Sequence, residues 1–173
     1  MVGGFRPAVL VGGLMAAGLL LAGCTAPRPV VTFYGNRTAV TVEAELWCPV
    51  DLAALTVSCP PDPNTTKDGH MAMRSGQSLQ VNVPGAVGST PWVVVFEYKD
   101  AAGKAQNGRS EVITDDRLSY TLRLPGSGDQ LNRVEVQAGL VPTLDSSGRA
   151  VITVSRTWVL VVAPVAPSSP AQS

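Results

Sequence analysis

Few side chains in this 173-residue sequence are equipped for chemistry, and the most unusual group is His70-Met71-Ala72-Met73. An imidazole with two thioethers is a soft donor set suited to Cu(I), so His70, Met71 and Met73 form a candidate copper site. A strand would turn Met71 and Met73 to one face and His70 to the other, so ligation by all three requires a loop or a bulge. In the competing reading the two Met residues fill the core and His70 caps an exposed loop. Apart from this copper alternative, no cofactor is expected.

Catalytic groups are scarce. Nucleophilic catalysis needs a nucleophile, a base and a group that orients the base. His70 is the single imidazole, and no Gly-x-Ser-x-Gly or Ser-x-x-Lys arrangement surrounds any serine. A dinucleotide fingerprint and a phosphate loop are also missing from the sequence. Asp115 and Asp116 are adjacent, so they read as a solvated turn and not as the spaced carboxylates of a glycosidase. Glu43 and Glu45 read as exposed carboxylates sharing one strand face. The chain is therefore expected to be non-enzymatic.

Cys24 ends the segment Leu21-Ala22-Gly23-Cys24, which closes an uncharged apolar run from Ala8 to Leu21. That run is shorter than the ~20 apolar residues that cross a bilayer core, and it suits the apolar region of an export signal. The aliphatic, small, small, Cys pattern resembles the bacterial lipobox. Small side chains suit the peptidase site before the scissile bond, and the Cys24 thiol is the nucleophile that receives the lipid. Residues 1–23 are thus predicted to be a lipoprotein signal peptide, with Cys24 lipidated. Two acyl chains anchor stably where one is marginal, at ~0.8 kcal/mol per buried methylene. The expected location is the outer face of a bacterial cell membrane. Residues 24–29 read as a short tether stiffened by Pro27 and Pro29, which holds the folded part near the surface.

Export favours disulfides, and with Cys24 given to lipid, Cys48 and Cys59 remain as an even pair. Two thiolates without a nearby His or a second Cys pair fall short of a zinc set, so a disulfide is predicted. Closing so short a loop is worth roughly 3 kcal/mol in the chain-entropy model.

Composition bounds the rest. The 13 basic residues balance the 13 acidic ones, so the basic footprint of nucleic-acid binding is missing. With 45% hydrophobic and 15% charged residues the chain should fold, and its length fits one domain. That domain is predicted over residues 30–162, followed by an uncharged Pro/Ala/Ser tail over 163–173 that reads as disordered.

The elements that must position these residues repeat with a period of two. Apolar and polar residues alternate over 40–46, 79–83, 118–124 and 134–138. Residues 92–98 and 151–162 are more continuously apolar and β-branched, as central strands are. Weaker strand candidates lie at 30–34, 52–57 and 110–114. Turn residues separate these runs at Gly35-Asn36, Arg74-Ser75-Gly76, Asp100 to Gly103, Asn107-Gly108, Pro125 to Asp129 and Asp145 to Gly148. Seven to nine antiparallel strands on this spacing predict an all-β fold, an immunoglobulin-like β-sandwich. Tyr120, after Asp115-Asp116, sits where such sandwiches place a corner Tyr. Cys48 and Cys59 are too close for the usual inter-sheet bridge, so they suggest a local loop clamp with Trp47 beside it.

The lipobox, the Cys48…Cys59 pair, Pro91-Trp92 at the start of an apolar strand and Val134-Glu135-Val136 together resemble a family of uncharacterised actinobacterial lipoproteins. The resemblance implies location and topology. The family carries no assigned activity, so no functional residues are transferred. The expected role is a binding or interaction module of the cell envelope, with loops 60–69 and 85–91 offered to another envelope protein or a glycan.

Overall fold

The computed structural model describes residues 27–59, 61 and 67–165. Its elements, in chain order, are β1 (Val31–Gly35), β2 (Thr38–Val42), β3 (Leu46–Trp47), β4 (Val50–Asp51), β5 (Thr56–Val57), β6 (Gly69–Met73), β7 (Leu79–Asn82), α1 (Gly85–Gly88), β8 (Trp92–Lys99), β9 (Ala105–Arg109), β10 (Ser119–Leu122), β11 (Gln130–Leu144) and β12 (Ala150–Pro164). The all-β expectation holds. One sheet runs β10-β7-β1-β2; the other runs β3-β12-β11-β8-β9, and β4 and β5 pair by themselves.

Alternation builds the sandwich. Val31 and Phe33 of β1, Leu79 and Val81 of β7, and Leu122 of β10 point inward from the first sheet. They meet Trp92, Val94 and Phe96 of β8, Val134 and Val136 of β11, and Trp158 and Leu160 of β12 in one buried cluster. Strands β7, β8, β10, β11 and β12 follow the order in which an immunoglobulin-like chain alternates between its two sheets. The β1–β2 hairpin is added beside β7.

Several sequence expectations need correction. Only one pair departs from the antiparallel pattern among the described residues: β6 lies parallel to β12, from Gly69 opposite Leu160 to Met73 opposite Pro164. It can do so because β3 occupies the same edge of β12 only at Arg156 and Thr157. The run 40–46 is not one strand; it breaks after Val42, and β3 resumes in the other sheet. Residues 52–57 are a turn followed by β5. Residues 110–114 contribute only a bridge from Ile113 to Trp92. Asn107-Gly108 is not a turn but lies within β9, where the ring of Phe96 covers the face of Gly108 that a side chain would need. Ala163 and Pro164 belong to β12 and not to the tail, whose residues 166–173 lie outside the described residues. Tyr120 is half-buried and its hydroxyl makes no hydrogen bond among the described residues, so no tyrosine corner forms.

β11 and β12 form one long hairpin that projects beyond the second sheet. The register runs unbroken from Arg133 opposite Val161 to Leu144 opposite Ala150, except at Gly139. There the backbone is left-handed, with φ +63°, and the Ser155 hydroxyl donates to the Gly139 carbonyl at 3.0 Å. Only glycine adopts this conformation without strain, and a Cβ would strike Ser155 Oγ. Inside–outside alternation shifts by one across this kink. Ala138 is in the core, whereas Leu140 lines an outer groove beside Gln137.

The Cys48–Cys59 disulfide closes the small β4–β5 hairpin at its base, with Cα atoms 4.5 Å apart. The Cys48 amide donates to the Ser155 carbonyl, which fastens the clamp to β12. Trp47, beside Cys48 in the chain, stands edge-on to Trp158 with ring centroids 6.4 Å apart.

Candidate functional site

A polar groove lies at the end of the sandwich away from the β11–β12 turn. Two tight turns make its rim. In the β1–β2 turn both central residues are left-handed, Asn36 at φ 47° and Arg37 at φ 61°. This is the primed geometry that suits the twist of a two-residue hairpin. Asn36 tolerates it and donates from Nδ2 to the Ala72 carbonyl at 3.1 Å, tying the turn to β6. Arg37 stands where glycine is favoured, at a cost of roughly 1 kcal/mol.

The β6–β7 loop is the second rim. Gln77 Oε1 accepts the Arg74 amide at 3.0 Å, and the Ser75 hydroxyl meets Gln130 Oε1 at 3.1 Å. Gly76, at φ +70°, sits so close to the Ser127 carbonyl that no side chain fits. Its amide donates to the Asp129 carbonyl at 2.9 Å. These bonds hold Arg74 and Gln77 on an ordered frame.

Between the rims, register sets out a row across the sheet. Tyr34 of β1 is opposite Gln80 of β7, and Gln80 is opposite Thr121 of β10. All three point away from the core, because their neighbours Phe33, Leu79, Val81 and Leu122 point into it. Tyr34, 47% exposed, offers a ring at one end of the row. The whole groove encloses about 740 Å³. Its lining includes two guanidinium groups, Arg37 and Arg74, and no carboxylate, imidazole or thiol. Neither Arg forms an ion pair among the described residues. Such a surface can hydrogen-bond hydroxyls, stack on a ring face and hold an anion.

The residues singled out from sequence lie elsewhere. His70 is exposed on β6, while Met71 and Met73 are buried in the core on its other face. The strand contains no bulge, so the three donors do not converge. Glu43 and Glu45 part company where the 40–46 run breaks: Glu43 binds Lys67 Nζ at 2.6 Å, whereas Glu45 faces Arg133 at 3.9 Å. The Lys67 hydrogen bond holds the Glu43 carboxyl below its usual range. Burial, followed by the nearby charge of Asp68, raises that of Glu45. Arg133 also lies 3.9 Å from Asp68 and 3.7 Å from Glu135, so one cation serves three carboxylates. Asp115 is in an exposed turn, bonded to Arg117 at 3.1 Å, and Asp116 beside it is left-handed at φ 55°.

Loop 85–91 is less available than expected. Most of it is α1 and its cap, with Val87 and Gly88 buried. Of loop 60–69, residues 60 and 62–66 lie outside the described residues, as do residues 1–26 with Cys24. In the sequence Gly35-Asn36 and Arg74-Ser75-Gly76 carry turn chemistry alone, which does not single out the groove residues. The usable signal was an Arg in each of two tight turns.

A family described as "Protein of unknown function (DUF2771)" matches residues 25–163. The chain belongs to the DUF2771 family. The resemblance to a family without assigned activity is thereby borne out at that level, and the DUF2771 match spans nearly all the described residues. No curated protein and no solved structure matches this DUF2771 chain. Among the described residues of the DUF2771 protein, no helix is long and apolar enough to cross a membrane.

Proposed function

We propose that this DUF2771 protein is a lipid-anchored lipoprotein on the outer face of a bacterial, by resemblance actinobacterial, cell membrane. It acts there as a non-enzymatic binding module for an anionic glycan of the envelope. The anchor is supported by Leu21-Ala22-Gly23-Cys24 behind an apolar leader, and an exported location by the Cys48–Cys59 disulfide.

The observation that carries the binding role is the groove: two guanidinium groups, without an ion pair among the described residues, at the rim of a row of amide, hydroxyl and phenol groups, with no carboxylate among its lining. Apolar walls bind most small ligands, and these walls are polar, which favours a hydroxyl-rich ligand. Tyr34 suits a sugar ring face, Gln77, Gln80 and Thr121 suit hydroxyls, and Arg37 and Arg74 suit a carboxylate or phosphate. An Arg kept in a strained turn position also fits a role in binding.

Calorimetry with a uronic-acid-bearing oligosaccharide and its carboxyl-reduced form tests this. The acidic form should bind more tightly, and Arg37→Ala or Arg74→Ala should weaken it about tenfold, as loss of a charge-assisted bond would. Arg37→Gly should weaken binding while raising stability by roughly 1 kcal/mol, which separates lost contact from lost fold. Binding indifferent to both Arg residues, or preference for the neutral form, overturns the proposal.

A further inference from the structure

The outer face of the β11–β12 arm is apolar and uncovered. Leu140, Ile152 and Val154 line a groove of about 450 Å³ with Val93 and Val112 and one charged residue, Arg109, and Leu144 and Ile152 are each 65% exposed. Charged or polar residues are the ordinary occupants of such a face, and a contiguous aliphatic patch marks a contact surface.

The course of the chain says what covers it. Gly35, at the end of β1, lies against Met73, which pairs with Pro164. Val31, at the start of β1, pairs with Val42, which lies beside Gly69, the partner of Leu160. Two residues earlier, the Pro29 carbonyl accepts a hydrogen bond from Trp158 Nε1 at 2.9 Å. Arg28 then lies over the Trp47 ring at 5.8 Å, and Trp47 pairs with Arg156. Each step back from Gly35 therefore moves along β12 toward the arm. Cys24 is three residues before Pro27 and can extend no more than about 11 Å beyond it. From Ser155 to Ala150 the arm runs about 17 Å in the same direction. The anchor thus reaches less far than the arm, and a bilayer that lies across the arm end and holds the acyl chains of Cys24 meets the arm.

We infer that the aliphatic outer face and tip of the β11–β12 arm rest in the surface of the bilayer that holds the anchor, so that lipid is the occupant of the 450 Å³ groove. This rests on the proposed acylation of Cys24. Contact at two points, arm and anchor, fixes the orientation of the sandwich and turns the polar groove of Tyr34 and Arg74 away from the membrane.

The test uses the full acylated chain in phosphatidylethanolamine–phosphatidylglycerol vesicles, with a polarity-sensitive fluorophore on Ile152→Cys or, at the opposite end, on Gln77→Cys. With Cys24 acylated and Cys48 bridged to Cys59, the new thiol is the only free one. Emission from position 152 should shift to the blue and be quenched at least twofold by a lipid-borne quencher, while position 77 should do neither. Intact mass separates the two claims: an unmodified Cys24 overturns the anchor and with it this inference. An acylated chain with position 152 as water-exposed as 77 overturns the arm contact alone. A blue shift that persists without vesicles and grows with protein concentration also overturns it, assigning the face to a second copy.

Discussion

Met73 and His70 sit three residues apart on one strand with opposite stakes. Met73 is among the largest fully buried side chains, whereas His70 is exposed. Met73→Ala should cost about 2–5 kcal/mol in chemical denaturation, while His70→Ala should stay within about 0.5 kcal/mol. Because imidazole and thioethers face opposite sides, Cu(I) titrated against a competing chelator should be indifferent to His70→Ala. Competition that depends on both His70 and Met73 would instead establish the copper alternative. The face assignment was legible beforehand, since a strand's period of two separates position 70 from 71 and 73. The contribution of Arg37 was not. Its left-handed backbone and its nearness to Arg74 come from the hairpin type and from how β1–β2 docks on β6.

At the scale of the element, the β11–β12 turn depends on one carboxylate. Asp145 accepts from the Ser147 amide and hydroxyl, the Arg149 amide and Arg149 Nε at 2.6–3.0 Å. These donors, the Ser147 hydroxyl foremost, hold its carboxyl down at about 2, against an ordinary 3.8. A carboxyl lowered on folding stabilises fully above its ordinary value and loses that contribution as pH falls through the lowered one. The amides of Ser147 and Arg149 should therefore titrate together in NMR with a midpoint near 2, and Asp145→Ala should abolish the transition. A midpoint at 3.8 would show that the turn does not depend on these bonds. The turn itself could be read from Asp145 to Gly148, but the length of the arm could not. Gly139 and Pro142 interrupt the alternation after Ala138, so only the centre of β11 carried a strand signal. The continuously apolar run 151–162 reads as a central strand, yet its first residues pair only with β11 and face outward.

For the whole molecule, the disulfide and the polarity of the two ends matter most. Cys48–Cys59 closes a short loop that few core contacts hold, so its constraint falls on the unfolded chain. Reduction, or a Cys48→Ser, Cys59→Ser double variant, should lower unfolding free energy by roughly 3 kcal/mol with the rest of the sandwich intact. An unchanged denaturation midpoint under reductant would show that the clamp constrains nothing. The two ends of the sandwich differ in kind: largely aliphatic at the arm, polar with two Arg residues at the groove. From Ala150 to Pro164 β12 spans about 46 Å, which sets the aliphatic tip of the arm well apart from the polar groove.

By itself the sequence determined the class of fold, the Cys48–Cys59 pairing and the division of β6 into a buried and an exposed face. Each of these follows from local spacing: alternation with period two, an even Cys pair and turn residues between apolar runs. Only the tertiary structure decided where β6 pairs, that residues 40–46 divide between two sheets, and that Tyr34, Arg37, Arg74, Gln80 and Thr121 share one groove. Those residues come from three separate stretches of sequence, 34–37, 74–80 and 121, and their meeting depends on strand order and register, which are set by how two sheets bury a common core.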